Sequence, residues 1–377
     1  MNSFWERDAM LEADCIVVGG GLIGLLTALE WRDAHADARI VVLERGLLPS
    51  GASSRNAGFA CFGSLTELLG DIDAVGIDAT VALVARRWGG LARLRARVGD
   101  AAMALENHGG FELLTESQLP ALEHLDALNA ALQPLFGDIV FTSQPAALAA
   151  CRFGPQIHAL VGNRFEAQLH SGKLMRALAM LAGARGIEIH TGATVTGIED
   201  GQTRVAVRVA NGADAPGLTF SAARVALCTN GMLGALAPQL CIEPARGQVL
   251  ITEPIPDLHL RGCFHFDEGF YYFRNVGDRI LLGGARNRDF QSERTTRLGV
   301  TDTIQDALQM MLEKVILPGR SIRINQRWSG LMGFTVDKQP VVEKLSAHVA
   351  VGFGCNGMGV ALGADIAQRT AALLAGI

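Results

Sequence analysis

The chain is expected to be an α/β protein in which a Rossmann-like nucleotide-binding part is interleaved with a second, β-sheet-rich part. Three observations predict this. An apolar run, Cys15-Ile16-Val17-Val18, passes through Gly19-Gly20-Gly21-Leu22-Ile23-Gly24 into a helix-like stretch that begins at Leu22. A second apolar run, Ile40-Val41-Val42-Leu43, ends on Glu44. Near the C-terminus, His348-Val349-Ala350-Val351, a glycine-rich turn at 352–359 and a helix over 360–375 repeat the strand–turn–helix order.

Each part of the first unit has a physical reason. Gly19 permits the tight turn, Gly21 lets backbone approach a pyrophosphate, and Gly24 lets helix and strand come close. Leu22, Ile23 and Gly24 open the helix, whose free N–H groups and partial positive charge suit phosphate. Glu44 lies about twenty residues past the last glycine, where an acid accepts hydrogen bonds from a ribose diol, and Arg45 follows it. The unit therefore predicts a bound dinucleotide without specifying which one.

The rest of the chain supplies the second part. After Glu44 a small-residue loop, 47–59, leads into a short helix. Helices are expected over 77–106, 117–135, 171–185 and 301–314, the second from apolar spacing of three and four, with a helical turn at 145–151. Strands are expected at 110–114, 139–141, 187–190, 193–198, 204–209 and 224–228. From 242 to 290 the chain reads as a meander, with its clearest strands at 248–251, 269–274 and 279–283.

Composition bounds the partners. The 377 residues are 49% hydrophobic with a net charge of −5, enough for a large core. The charge and the lack of a long basic run argue against nucleic acid or an anionic membrane. No window has the apolar length of a membrane span, and Met1 to Asp8 lacks the order of a signal peptide. Seven scattered cysteines without a CxxC pair favour a reducing cytoplasm over a disulfide framework or thiolate zinc site. A small-molecule substrate is the expected partner.

Three further segments resemble the D-amino-acid oxidase superfamily of FAD oxidoreductases, which includes glycine and sarcosine oxidases. They are Gly51-Ala52-Ser53-Ser54-Arg55-Asn56-Ala57-Gly58-Phe59, the strand end Ala226 to Gly231, and Trp328 to Pro340 joined to Val351 to Gly363. The resemblance covers nearly the whole chain. It implies a glutathione-reductase-type FAD-binding domain at 1–75, 152–240 and 321–377, with a substrate domain at 76–151 and 241–320. It places Ser53, Ser54, Arg55, Asn56, Ala57 and Gly58 along the pyrophosphate and flavin. Gly354, Asn356, Gly357 and Met358 fall near the ring's pyrimidine oxygens, Val195 at the adenine, and Thr229, Asn230 and Gly231 at the strand end. Gly330 stands where sarcosine oxidase relatives carry a flavin-linking cysteine, so noncovalent FAD is implied.

The same resemblance implies oxidation of an amine or amino acid C–N bond by hydride transfer to flavin, giving an imine that hydrolyses. Oxidation of a 2-hydroxy acid and a non-catalytic FAD-binding subunit are the alternatives. The strand Phe270-Tyr271-Tyr272-Phe273-Arg274 is the candidate substrate wall, with Tyr271, Tyr272 and Arg274 as site residues; alternation points one tyrosine to each face. His265 is a weaker candidate than these. Met332 occupies the place of the arginine that clamps an α-carboxylate in glycine and D-amino-acid oxidases. Methionine cannot do this, so either another arginine holds a carboxylate or the substrate has none. Ile280-Leu281-Leu282 also lacks the lysine that some sarcosine oxidase relatives place above the flavin, which leaves oxidase and dehydrogenase open.

Overall fold

The structure, a computed structural model, describes residues 3–211 and 215–376. Residues 1, 2 and 377 of the expected domain bounds lie outside these. Among the described residues two eight-stranded sheets dominate. In the first, Val349–Phe353, Ala215–Leu227, Glu12–Val18, Ile40–Glu44 and Glu188–Thr191 run parallel in that spatial order. Val341–Lys344 adds an antiparallel edge, while Val205–Asn211 and Thr194–Asp200 branch from Ala215–Leu227.

The continuous apolar character of Glu12–Val18 and Ile40–Glu44 follows from cover on both faces. Cys15 and Val17 meet the helices Leu22–Ala34 and Gly359–Ala375, whereas Ile16 and Val18 join a second core with Val41, Val207 and Val351. Alternation along the strand divides the side chains between the two.

The second sheet runs Ile324–Phe334, Glu243–Thr252, Arg279–Gly284, Tyr271–Val276, Cys263–Phe266, Gly110–Leu114, Ala159–Asn163 and Phe141–Ser143. One face, with Tyr271, Phe273, Leu250 and Leu282, is covered by the helix Asp302–Met311 through Ile304 and Leu308. The other face carries His265, Tyr272 and Val249 and closes over the glycine turn.

Several elements differ from expectation for local reasons. The helix expected over 77–106 is Ile77–Val98, because Gly99 takes φ +84° and its N–H caps on the carbonyl of Arg95. The helix expected over 117–135 divides into a 3₁₀ stretch, Glu116–His124, that contains Pro120, followed by Leu125–Phe136. The strand expected at 139–141 is Phe141–Ser143, since the N–H groups of Val140 and Phe141 donate to Asn129 Oδ1.

The two parts are also more finely interleaved than the expected division. Ala159–Asn163 and Ile324–Phe334, expected with the FAD-binding part, both pair in the second sheet. Their long-range hydrogen-bond partners, Gly110–Leu114 and Glu243–Thr252, are invisible to local pattern. Conversely, helix Ile77–Val98 packs on Gly359–Ala375 of the first part. Gly90 permits this contact: a Cβ there would stand 2.0 Å from the carbonyl oxygen of Ala361.

Alanine normally stabilises a helix over glycine by about 1 kcal/mol. At Gly89, where nothing lies within 4 Å of a Cβ, Gly89→Ala is expected to raise stability by up to that amount. Gly90→Ala is expected to lower it by about 1–3 kcal/mol through overpacking. Urea unfolding of both variants checks the contrast, and equal effects would contradict the packing.

Candidate active site

The glycine turn is held from both sides. Gly19 takes φ +108°, donates its N–H to the carbonyl of Leu43 at 2.8 Å, and leaves only 2.7 Å between a Cβ and the carbonyl oxygen of Cys228. A Cβ on Gly24 would lie 1.8 Å from the carbonyl oxygen of Gly19. Helix Leu22–Ala34 has no side-chain cap from Gly21; the Leu22 N–H instead donates to Ser53 Oγ at 2.9 Å. That bond ties the 47–59 loop to the helix N-terminus.

Glu44 is buried and its carboxylate organises this end of the sheet. Oε1 accepts from Gly46 N at 2.9 Å and Ser50 Oγ at 2.8 Å, while Oε2 accepts from Gly20 N at 2.9 Å. A carboxylate offers about four acceptor positions, so Oε2 retains capacity for a ligand hydroxyl.

A cavity of about 570 Å³ runs from this turn to the second sheet. Of the expected cofactor residues it is lined by Gly19, Gly21, Leu22, Ile23, Glu44, Arg45, Ser53, Arg55, Asn56, Ala57, Gly58, Val195, Thr229, Asn230, Gly231, Gly330, Asn356, Gly357 and Met358. Gly24, Ser54 and Gly354 lie behind the lining. Gly24 faces the strand, Ser54 donates to the carbonyl of Pro49, and Gly354 accepts from Asn356 Nδ2 while its Cα faces Thr335.

Several lining residues also brace the walls. Arg55 Nη1 donates to the carbonyl of Ser329 at 3.2 Å, and Trp328 Nε1 donates to the carbonyl of Arg55 at 2.9 Å. Asn56 Oδ1 accepts from Gly58 N and Ser171 Oγ. Asn356 Oδ1 accepts from Thr335 N.

The far wall belongs to one row of the second sheet, from which His265, Tyr272 and Val249 line the cavity. Glu112, His265, Tyr272, Gly283, Val249 and Trp328 stand opposite one another across successive strands and share a face. The Tyr272 ring lies over Gly283, where a Cβ would stand 2.5 Å from it. Phe59 meets His265 and Tyr272 edge to face at 5.3 and 5.7 Å. Burial raises the Tyr272 phenol to about 12, despite the nearby charge of Arg286. Met332 also lines the cavity, its methyl filling the place of a side chain on Gly247.

Two of the expected wall residues are elsewhere. Tyr271 points to the opposite face, into the core with Phe264 and Phe273, and its hydroxyl accepts from Arg288 Nε at 3.0 Å. Arg274 shares the Tyr272 face but does not line the cavity. Its buried guanidinium donates to the carbonyls of Ala57, Leu169 and Asn275.

Sequence reasoning missed Cys61, Glu67 and Arg286 and gave little weight to His265, all of which line the cavity, as does Arg87. Burial would lower the His265 pKa, but the charge and hydrogen bond of Glu166, 2.9 Å away, raise it overall to about 9. Arg87 hydrogen-bonds the carbonyl of Phe62 and lies 3.8 Å from Asp71. Arg286 follows Gly284 at φ +113° and Ala285 at φ +59°, a backbone reversal that turns it back to the cavity. Its half-buried guanidinium sits 4.4 Å from the Phe334 ring centroid and 4.9 Å from that of Phe290, with no hydrogen bond or ion pair among the described residues. Burial lowers its pKa. The Gly283-Gly284 pair at the strand end was the one local signal for this turn.

A family model described as FAD dependent oxidoreductase matches residues 14–373. The chain belongs to this family. The oxidoreductase is 23% identical over 374 residues to the "Probable oxidoreductase OrdL" of Rhizobium meliloti (strain 1021), covering 93% of this chain and 80% of that relative. Its fold is similar to glycine oxidase from Geobacillus kaustophilus, with TM-score 0.76, 20% identity, and 97% and 95% of the two chains covered. It is also similar to L-proline dehydrogenase from P. horikoshii, with TM-score 0.77, 17% identity, and 96% and 93% covered.

The oxidoreductase is FAD-dependent, and its cavity fits the cofactor on its own evidence. Thr229 Oγ1 and Asn230 Oδ1 are buried without a hydrogen-bond partner among the described residues, and both residues line the cavity. Buried polar atoms are normally hydrogen-bonded, so these await a bound group. The N-terminal residues of two helices, Leu22–Ala34 and Gly359–Ala375, face the same space. No helix among the described residues is long and apolar enough to cross a membrane.

Glu44→Gln would set an amide N–H₂ against backbone or hydroxyl donors on one side of the carboxylate. It is expected to lower unfolding stability by about 1–3 kcal/mol in a urea titration. An unchanged midpoint would contradict the organising role of Glu44.

Proposed function

We propose that this FAD-dependent oxidoreductase oxidises the C–N bond of an amine that carries a carboxylate, an α-amino acid or a close relative. The supporting observation is Arg286. An unpaired, half-buried arginine in a substrate-sized wall is a site for an anion, and its planar fork matches a carboxylate bidentately. Phe334 and Phe290 orient the guanidinium while leaving its N–H groups free. Arg286 thereby supplies the charge that Met332 lacks.

FAD, when bound, accepts the hydride of the substrate's α C–H. The glycine turn and the N–H of Ile23 at the helix N-terminus would hold its pyrophosphate, with Glu44 at the ribose and Val195 near the adenine. Arg55 to Gly58, Gly330 and Asn356 to Met358 line the cavity and would surround the ring. Tyr272 remains a protonated hydrogen-bond donor at neutral pH, and Phe59 walls the apolar side. The substrate nitrogen is neutral when hydride leaves, and the resulting imine hydrolyses in water. Orientation between Arg286 and the Tyr272 wall accounts for the chemistry without a dedicated base.

A 2-hydroxy acid presents the same carboxylate to Arg286, so the test must include both classes. Anaerobic mixing of the yellow protein with a panel of amino acids, amines and 2-hydroxy acids is expected to bleach the flavin with amino acids. Bleaching by hydroxy acids alone would overturn the C–N reading. Admission of air then separates oxidase from dehydrogenase by hydrogen peroxide formation. The seven free cysteines suit a reducing cytoplasm.

Arg286→Leu is expected to lower kcat/KM for a carboxylate substrate by about 10–100-fold, mainly through KM. Steady-state kinetics checks this. An amine without a carboxylate should lose little, and an equal loss on both would show that Arg286 has another role.

A further inference from the structure

Cys61, Glu166 and His265 come from three separate segments and meet beside the cavity. The two-stranded pairing of Phe59–Ala60 with Ala167–Gln168 brings the first two together. His265 arrives from Cys263–Phe266, whose neighbour Gly110 leaves room for Glu166: a Cβ on Gly110 would stand 2.0 Å from Glu166 Oε2. One ligand atom from each residue lies within 4.8 Å of the others, and all three residues are buried.

The donors differ in kind and complement one another. A thiol, an imidazole and a carboxylate are the ligand types of borderline cations such as zinc. A thiol that only filled space would meet carbon. Cys61 Sγ instead faces this imidazole and carboxylate, and contacts Met358 Sδ at 3.7 Å. Cys61 and His265 line the cavity, so a cation has an entry path and room for a water or ligand in an open position. Deprotonated Cys61 and Glu166 together carry the two negative charges that balance a dication.

We propose that Cys61, Glu166 and His265 form a binding site for one thiophilic divalent cation of the zinc class in the cavity wall. Binding forms metal–sulfur, metal–nitrogen and metal–oxygen bonds and releases the thiol proton and the imidazolium proton to solvent, with no change of oxidation state. The site is independent of the substrate reading, because occupancy is measured without turnover.

The test titrates FAD-loaded protein carrying Cys241→Ser, which removes the exposed thiol, with zinc chloride by calorimetry. Zinc-edge X-ray absorption is then measured on the saturated sample. The expected result is one zinc per chain with one sulfur at about 2.3 Å and nitrogen or oxygen at about 2.0 Å. Cys61→Ser and His265→Gln are each expected to weaken binding by about tenfold or more. No stoichiometric binding, a zinc without a sulfur neighbour, or affinity unchanged in both variants would overturn the proposal. Should a variant fail to fold, the sulfur neighbour in the Cys241→Ser protein still decides.

Discussion

The buried guanidinium of Arg274 joins the two halves of the molecule. It extends from the second sheet and donates to the carbonyls of Ala57 in the 47–59 loop and Leu169 ahead of helix Ser171–Ala184. It forms no ion pair among the described residues, and burial lowers its pKa despite the charge of Glu106. Leaving such a charge buried is tolerable only when its donors are satisfied, so the loop, the helix entry and the sheet are held in one arrangement. The shape of the cavity follows from that constraint. Glu44 performs the same service at the other end, where one carboxylate gathers Gly20, Gly46 and Ser50.

Between these anchors the cavity has two different linings. The nucleotide side is built of glycine backbone, helix N-termini and short hydroxyl residues, and it presents the unpartnered atoms of Thr229 and Asn230. The sheet side is built of side chains: Phe59, Tyr272, His265 and Arg286. One side therefore holds a group by backbone approach, which tolerates little variation. In the proposed function the other side would select substrate by side-chain chemistry, which one substitution can change. The Met332 and Arg286 positions illustrate this, because a cation is absent from one strand and supplied by a turn on another.

The contrast also explains what the sequence disclosed. The glycine turn, Glu44 and the C-terminal strand–turn–helix were legible because each rests on a local backbone requirement. Alternation correctly required Tyr271 and Tyr272 to face opposite ways, but only the pairing partners His265 and Gly283 decide that Tyr272 faces the cavity. Arg274 and Arg286 could not be distinguished from local pattern. The Ala57 and Leu169 carbonyls that engage Arg274 lie 217 and 105 residues away, and Arg286 depends on the left-handed backbone of Ala285. Strands Ala159–Asn163 and Ile324–Phe334 fall within the ranges expected with the FAD-binding part yet pair in the second sheet. Their partners, not their patterns, place them.

The central claim is that Arg286, opposite the Tyr272 wall, holds the substrate's carboxylate inside the FAD cavity. A crystal structure of the FAD-loaded protein with a non-oxidisable carboxylate analogue tests it most directly. The account predicts the carboxylate within hydrogen-bond distance of the Arg286 guanidinium, with Phe334 still beneath it. A carboxylate held by Arg87 or Lys338 instead, or Arg286 turned away from the cavity, would contradict it.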